Sequence, residues 1–344
     1  MWRFRRTPGR VPTGTGIETA LVSAAYGTEP VLRSACEAVR DGGVTAGLTL
    51  LGEDRDDAEA RAHRAEALGR AAVDRVVEVA SLAEGDADEA DVLLWLGHVL
   101  LARAAARPVG GQATGRADRK ALEAALIEAR APLEAAARLR PDDAAPWAAL
   151  QTVAMGLRAD REDRDRIWDE VSRRAPHLFP AHMTRVRSLS PARGGSTEEM
   201  FAVAGAAADG APEGDPLPAV LALAHAEHLR AERRRLTAEG SFDHIASMSL
   251  GRLHGEAVRE LFEAARDWVS AAVPHERDVQ AHHLFGWAFH RAEVAEAARW
   301  HLGAVGRYYC DLPWSFFGDP RAGVAHAMAA VGVDPRPRAE DGRA

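Results

Sequence analysis

The residues of this chain best suited to chemistry are its histidines, of which there are 14. His225-Ala-Glu-His228 sets two imidazoles at i and i+3 on one helix face, where both could meet one metal ion. Glu227 lies off that face. His283 and His290 are two helical turns apart and share a face, with Glu293 one turn beyond His290. A carboxylate-bridged dimetal bundle needs Glu-x-x-His pairs from two helices plus two further glutamates. The chain offers no clean Glu-x-x-His on two helices. His225, His228, His283 and His290 are therefore the ligand set of an alternative reading, a metal-dependent helical-bundle enzyme or metal-binding protein. The preferred reading packs these side chains between helices and expects no metal and no cofactor.

Other catalytic signatures are missing. No glycine-rich dinucleotide fingerprint follows a strand, and no phosphate-binding loop occurs. The Gly-x-Ser-x-Gly elbow of hydrolases is absent too. Cys36 and Cys310 stand alone, which suggests neither a disulfide framework nor a zinc knuckle. No residue is assigned a catalytic role, and the balance leans away from an enzyme.

Composition narrows the partners. The 344 residues are 47% hydrophobic and 27% charged, with a net charge of -8, and the isoelectric point is about 6.0. That charge argues against binding a phosphate backbone. The most basic run, Arg233-Arg234-Arg235, is interleaved with Glu227, Glu232 and Glu239 at helical spacing, the pattern of a solvated face. Neither a signal peptide nor an apolar stretch long enough to span a bilayer is evident. The sequence reads as a cytoplasmic protein that binds neither nucleic acid nor membrane.

The elements that carry these residues are helices throughout. Apolar positions recur at helical spacing from residue 17 onward. Ser196-Thr-Glu-Glu199 predicts a capping box at a helix start. Pro132, inside an alanine-rich stretch over 119–139, predicts a kink or break near Ala131. Glycine-rich loops are expected at 108–118 and 190–196.

Punctuation of those helices is periodic. Pro141 and Pro176 each follow an arginine-rich helix end and lie 35 residues apart, close to the ~34-residue period of a tetratricopeptide repeat. The first helices align as Leu93-x-x-Leu96-Gly97, Trp147-x-x-Leu150-Gln151 and His282-x-x-Phe285-Gly286, with a weaker copy from His182 through Arg185 to Leu189. This resembles the tetratricopeptide (TPR) consensus, in which Leu96, Gly97, Trp147, Leu150, Phe285 and Gly286 occupy structural repeat positions. The resemblance implies an all-α, TPR-like α-solenoid of antiparallel helical hairpins, with a helical N-terminal segment.

Gly195–Phe201, Asp215-Pro-Leu217, Ala224–His228 and Leu312–Pro320 also resemble segments of a group of uncharacterised TPR-like all-helical proteins of high-GC soil bacteria. That likeness covers roughly residues 120–330. It implies the fold and no activity.

Four regions follow: a flexible basic N-terminus (1–16), a helical N-terminal segment (17–85), a TPR-like repeat domain (86–332) and a disordered tail (333–344). The expected function is a non-enzymatic scaffold or accessory protein that binds a protein or peptide. Gln151, His182 and Arg185 are polar residues at otherwise apolar first-helix positions, so they are the candidate partner contacts.

Overall fold

Helices here begin where the sequence supplies an acceptor for their first free amides. The computed structural model describes residues 14–23, 28–84, 88–106, 116–241 and 253–336. In the first half these form α1 (Gly14–Ala20), α2 (Pro30–Arg40), α3 (Val44–Glu53), α4 (Ala58–Ala71), α5 (Val76–Ser81), α6 (Glu89–Ala105), α7 (Arg116–Leu139) and α8 (Ala145–Leu157). The second half gives α9 (Arg161–Arg174), α10 (Phe179–Ser188), α11 (Thr197–Asp209), α12 (Val220–Ala238), α13 (Glu256–Ser270), α14 (Asp278–Arg291), α15 (Ala295–Ala304) and α16 (Pro320–Val331). The all-α class is thus established. Asp57, Asp88, Asp160 and Asp319 cap α4, α6, α9 and α16 with their side chains, each an interaction worth about 1 kcal/mol. The capping box of Ser196 and Glu199 opens α11.

The break expected near Ala131 does not form. α7 runs unbroken through Pro132 for 24 residues. Proline deletes one backbone hydrogen bond, but Leu126, Ala129, Leu133 and Ala136 bury one continuous face of the helix, packed against α6 and α8. Most of the loop expected at 108–118, most of the basic N-terminus and most of the tail lie outside the described residues, but Arg116, Ala117 and Asp118 belong to α7 and not to a loop. Gly14–Gly16 belong to α1.

Consecutive helices pack in pairs: α6 on α7, α7 on α8, α8 on α9, α11 on α12 and α14 on α15. At two repeat positions the pair approaches closely. A Cβ on Gly97 would lie 2.4 Å from Leu133 Cδ2, and one on Gly286 would lie 2.8 Å from Leu302 Cδ2. Any side chain there would push the second helix away.

Two apolar interiors result. One joins residues of α2 to α9, from Leu32 through Trp95 to Val171. It runs across the 85–86 step read from the sequence. The other joins α1 to the helices from α10 onward, including Phe179, Trp268, Phe285 and Met328. α10 serves both, with Ala181 facing the first and Phe179 and Met183 the second.

The chain also closes on itself. α1 packs against α16. Two short strands, β1 (Val22–Ser23) and β2 (Tyr308–Tyr309), pair in parallel with Val22 opposite Tyr308 and Ser23 opposite Tyr309. Repeats in an open solenoid touch only their neighbours. Here residues almost three hundred positions apart in the chain are hydrogen-bonded, Val22 N–H donating to the Arg307 carbonyl at 2.9 Å.

Candidate functional site

The residues expected to contact a partner lie inside the helix packing. Gln151 is buried and its side-chain oxygen has no hydrogen-bond partner. His182 is buried edge-on to Trp168, with ring centroids 5.0 Å apart, and its Nε2 donates to the Pro176 carbonyl at 2.7 Å. Arg185 is buried as well. Its guanidinium lies 5.5 Å from the centroid of the Trp168 ring and pairs with Asp165 at 2.6 Å. His182 and Arg185 bind α10 to α9 through Trp168 and Asp165.

The four histidines of the metal reading are not brought together. Among the described residues no group of three or more His, Cys, Asp or Glu side chains has the geometry to hold a metal ion. His225 packs on Phe201 at 4.8 Å and faces Glu260 at 3.7 Å, while His228 lies further from that ring at 6.1 Å. At His283 both ring nitrogens are engaged. Nδ1 accepts from Trp314 Nε1–H at 3.2 Å, and Nε2 therefore donates to the Tyr308 carbonyl at 2.9 Å. That leaves no lone pair for a metal, and burial pushes the ring down to about 4, so it stays neutral. His290 pairs with His326 instead, with centroids 6.2 Å apart.

Two other places have the shape of a site. The first is an apolar groove of about 450 Å³ over α7, α8 and α9. Trp147, Leu150, Leu157 and Ile167 line its base; Arg138, Asp160, Asp163 and Arg166 stand around it. The Trp147 ring is held by Arg174, whose guanidinium lies 5.1 Å from its centroid. Trp147 Nε1 is buried and has no hydrogen-bond acceptor in the protein, an unusual state for an indole N–H.

The second is a polar cavity of about 190 Å³ where α4, the start of α14 and β2 meet. Arg277, immediately before α14, is only 4% exposed. Its Nε donates to Glu59 at 2.6 Å and its Nη1 to Glu66 at 2.9 Å, both on α4. Its Nη2 has no partner. The Glu59 carboxylate also accepts the Phe179 amide at 2.8 Å, tying α10 to the same point. The two carboxylates respond oppositely. Burial pushes Glu59 up despite Arg277 beside it. Burial would raise Glu66 too, but Arg277 and Arg70 outweigh it and hold that carboxyl down at about 2.

His63 and Cys310 complete the cavity wall. Burial, helped by the charge of Arg277, pushes His63 down to about 3, and its Nδ1 lacks a partner. Burial pushes the Cys310 thiol up to about 12. A neutral thiol is a poor nucleophile, and an imidazole so resistant to protonation is a weak general base at neutral pH. The cavity thus has binding groups without an activated attacking group. Sequence reasoning missed this cluster. Its one sequence signal is Glu59, His63, Glu66 and Arg70, spaced 4, 3 and 4 residues apart along a single face of α4.

Compared with protein-family models, with curated proteins and with solved structures, the chain finds no match. Among the described residues no helix is long and apolar enough to cross a membrane.

Proposed function

We propose that the protein is a non-enzymatic binding scaffold, in which TPR-like helical hairpins hold a peptide segment of a partner protein in the groove over α7 to α9. The observation that carries this reading is the groove of about 450 Å³ over α7 to α9, in which the half-buried Trp147 stands beside Leu150, Leu157 and Ile167. The apolar base formed by Leu150, Leu157 and Ile167 suits aliphatic or aromatic side chains one helical turn apart. Charges of both signs at the rim would orient the peptide more than hold it. Binding sites of this kind are apolar with a few placed polar groups.

Selection from a displayed peptide library on the purified protein tests the reading. Selected peptides should carry two or more large apolar residues at i and i+3 or i+4. They should lose at least tenfold in affinity, about 1.4 kcal/mol, for Leu157→Arg, a half-buried groove residue. Failure to enrich any sequence, or equal binding to the variant, contradicts the groove assignment.

A further inference from the structure

An excess of positive charge gathers away from the groove, where α10 meets α12. Glu227, on α12, is buried and faces three arginines. It pairs with Arg187 of α10 at 3.3 Å, with Arg193 in the turn after α10 at 3.7 Å and with Arg230 of its own helix at 3.2 Å. Arg234, one turn past Arg230 on the same helix face, forms no ion pair with any described residue, and the one acidic group acting on it is Glu227. The Phe316 ring backs the cluster, its centroid 6.0 Å from the guanidinium of Arg187 and 4.4 Å from that of Arg230. Carboxylate and ring thus hold the guanidiniums in place without neutralising them. The side chains of Arg187, Arg193 and Arg230 keep 23%, 21% and 19% of their surface in solvent. Their Nη2 groups are open to that solvent and make no hydrogen bond with any described residue. Burial, and then the charges of Arg187, Arg230 and Arg234, pushes the Arg193 guanidinium down to about 10, with Glu227 offsetting only part of this. Arg235, the next residue along α12, has the ordinary surface arrangement, paired with Glu232 and Glu239.

We infer that this cluster binds the dianionic phosphate group of a small molecule, with Arg187, Arg193, Arg230 and Arg234 donating to its oxygens. Four guanidiniums around one buried carboxylate are short of negative charge by more than a single anion supplies. A monocarboxylate would offset one of these charges, and a phosphate monoester offsets nearly two. The planar fork of each arginine donates to two phosphate oxygens at once. A nucleic acid backbone would call for a row of such groups; this is one patch on a chain of net charge -8. Because the guanidiniums are already fixed, little ordering opposes binding.

Calorimetry and thermal denaturation with inorganic phosphate and with glycerol phosphate test this, against acetate and chloride at matched ionic strength. At least one phosphate probe should bind and raise the melting temperature more than either monoanion does. Tighter binding of glycerol phosphate assigns the site to an organic phosphate, and tighter binding of inorganic phosphate assigns it to the free ion. Arg234→Gln should weaken binding about fivefold and leave the melting temperature of the free protein unchanged, since that side chain is exposed. Arg235→Gln should change neither. Glu227→Gln removes the one carboxylate, so it should lower the melting temperature of the free protein and enlarge the shift that phosphate causes. Absence of heat and of any melting shift with both phosphate probes overturns the inference. So does an equal shift with acetate, or a Kd that Arg234→Gln leaves unchanged. Peptide binding in the groove is read independently, so either proposal can fail without the other.

Discussion

Two buried arginines divide the molecule into a closed joint and an open one. Arg61, on α4, is 1% exposed. Its Nε donates to Asp143 at 2.6 Å, its Nη1 to the Leu51 carbonyl at 2.9 Å and its Nη2 to Asp91 at 2.7 Å. Asp91 in turn accepts from Arg55 and Arg140, and although burial would raise that carboxyl, those arginines hold it below the usual range. Each guanidinium nitrogen of Arg61 has a partner. Arg277 is as deeply placed and pairs with two carboxylates, yet its Nη2 has no partner in the protein. The first arrangement pins α3, α4, α6 and the turn before α8 together. The second ties α4 to the start of α14 and, through Glu59, to α10, with one buried nitrogen left unpaired. The two joints share burial and charge pairing and differ in how completely the guanidinium is paired.

The largest effect should come from Arg61→Met. It leaves Asp143 with only the Ala145 amide, and removing one partner of a buried ion network costs about 3–5 kcal/mol. A fall in the urea midpoint of that size at constant slope would support the closed joint; a neutral result would break it. Arg277→Met should cost less, roughly 3 kcal/mol, since the Glu66 side chain keeps 30% of its surface in solvent. If it destabilises more than Arg61→Met, the contrast between the joints is wrong.

Acid should weaken the open joint. His63 and His98 titrate near 3 and 4 in the folded protein, against an ordinary 6.5. Their folded values are depressed by burial, so the unfolded chain takes up protons first. Stability is full above pH 6.5 and falls as pH drops toward 4, by up to about 1.4 kcal/mol per pH unit for each histidine. Denaturation curves for His63→Gln should show a shallower loss over that window. An unchanged slope would mean that His63 is not held neutral by its surroundings. The smallest effect on stability belongs to Trp147→Phe, within about 0.5 kcal/mol, because the lost N–H has no partner in the protein. Its effect should appear in peptide affinity instead.

Much of the local structure was legible in the sequence. The capping box at Ser196, the helical course of residues 76–81 and the glycines at 97 and 286 follow from residue types and spacing. What escaped was long-range. Glu59, His63, Glu66 and Arg70 form a polar stripe that ordinarily marks a solvated face. Only closure of the chain brings Arg277 onto it, more than two hundred residues away, and no local period encodes that contact. Gln151, His182 and Arg185 were visible as polar residues on apolar faces. For His182 and Arg185 the reason lies in Trp168 and Asp165, which the alignment of first helices did not include; nothing in the structure explains the amide of Gln151. The unbroken α7 makes the same point: packing against α6 and α8 outweighs the local preference of Pro132.

The most direct measurement is the exchange of guanidinium protons by nuclear magnetic resonance on protein labelled at arginine nitrogens. Arg61 should show protected protons at Nε and at both Nη nitrogens. Arg277 should show protected Nε and Nη1 protons and faster exchange at Nη2, which makes no hydrogen bond. Equal protection of Arg277 Nη2 and the other guanidinium nitrogens would contradict the contrast between the two joints.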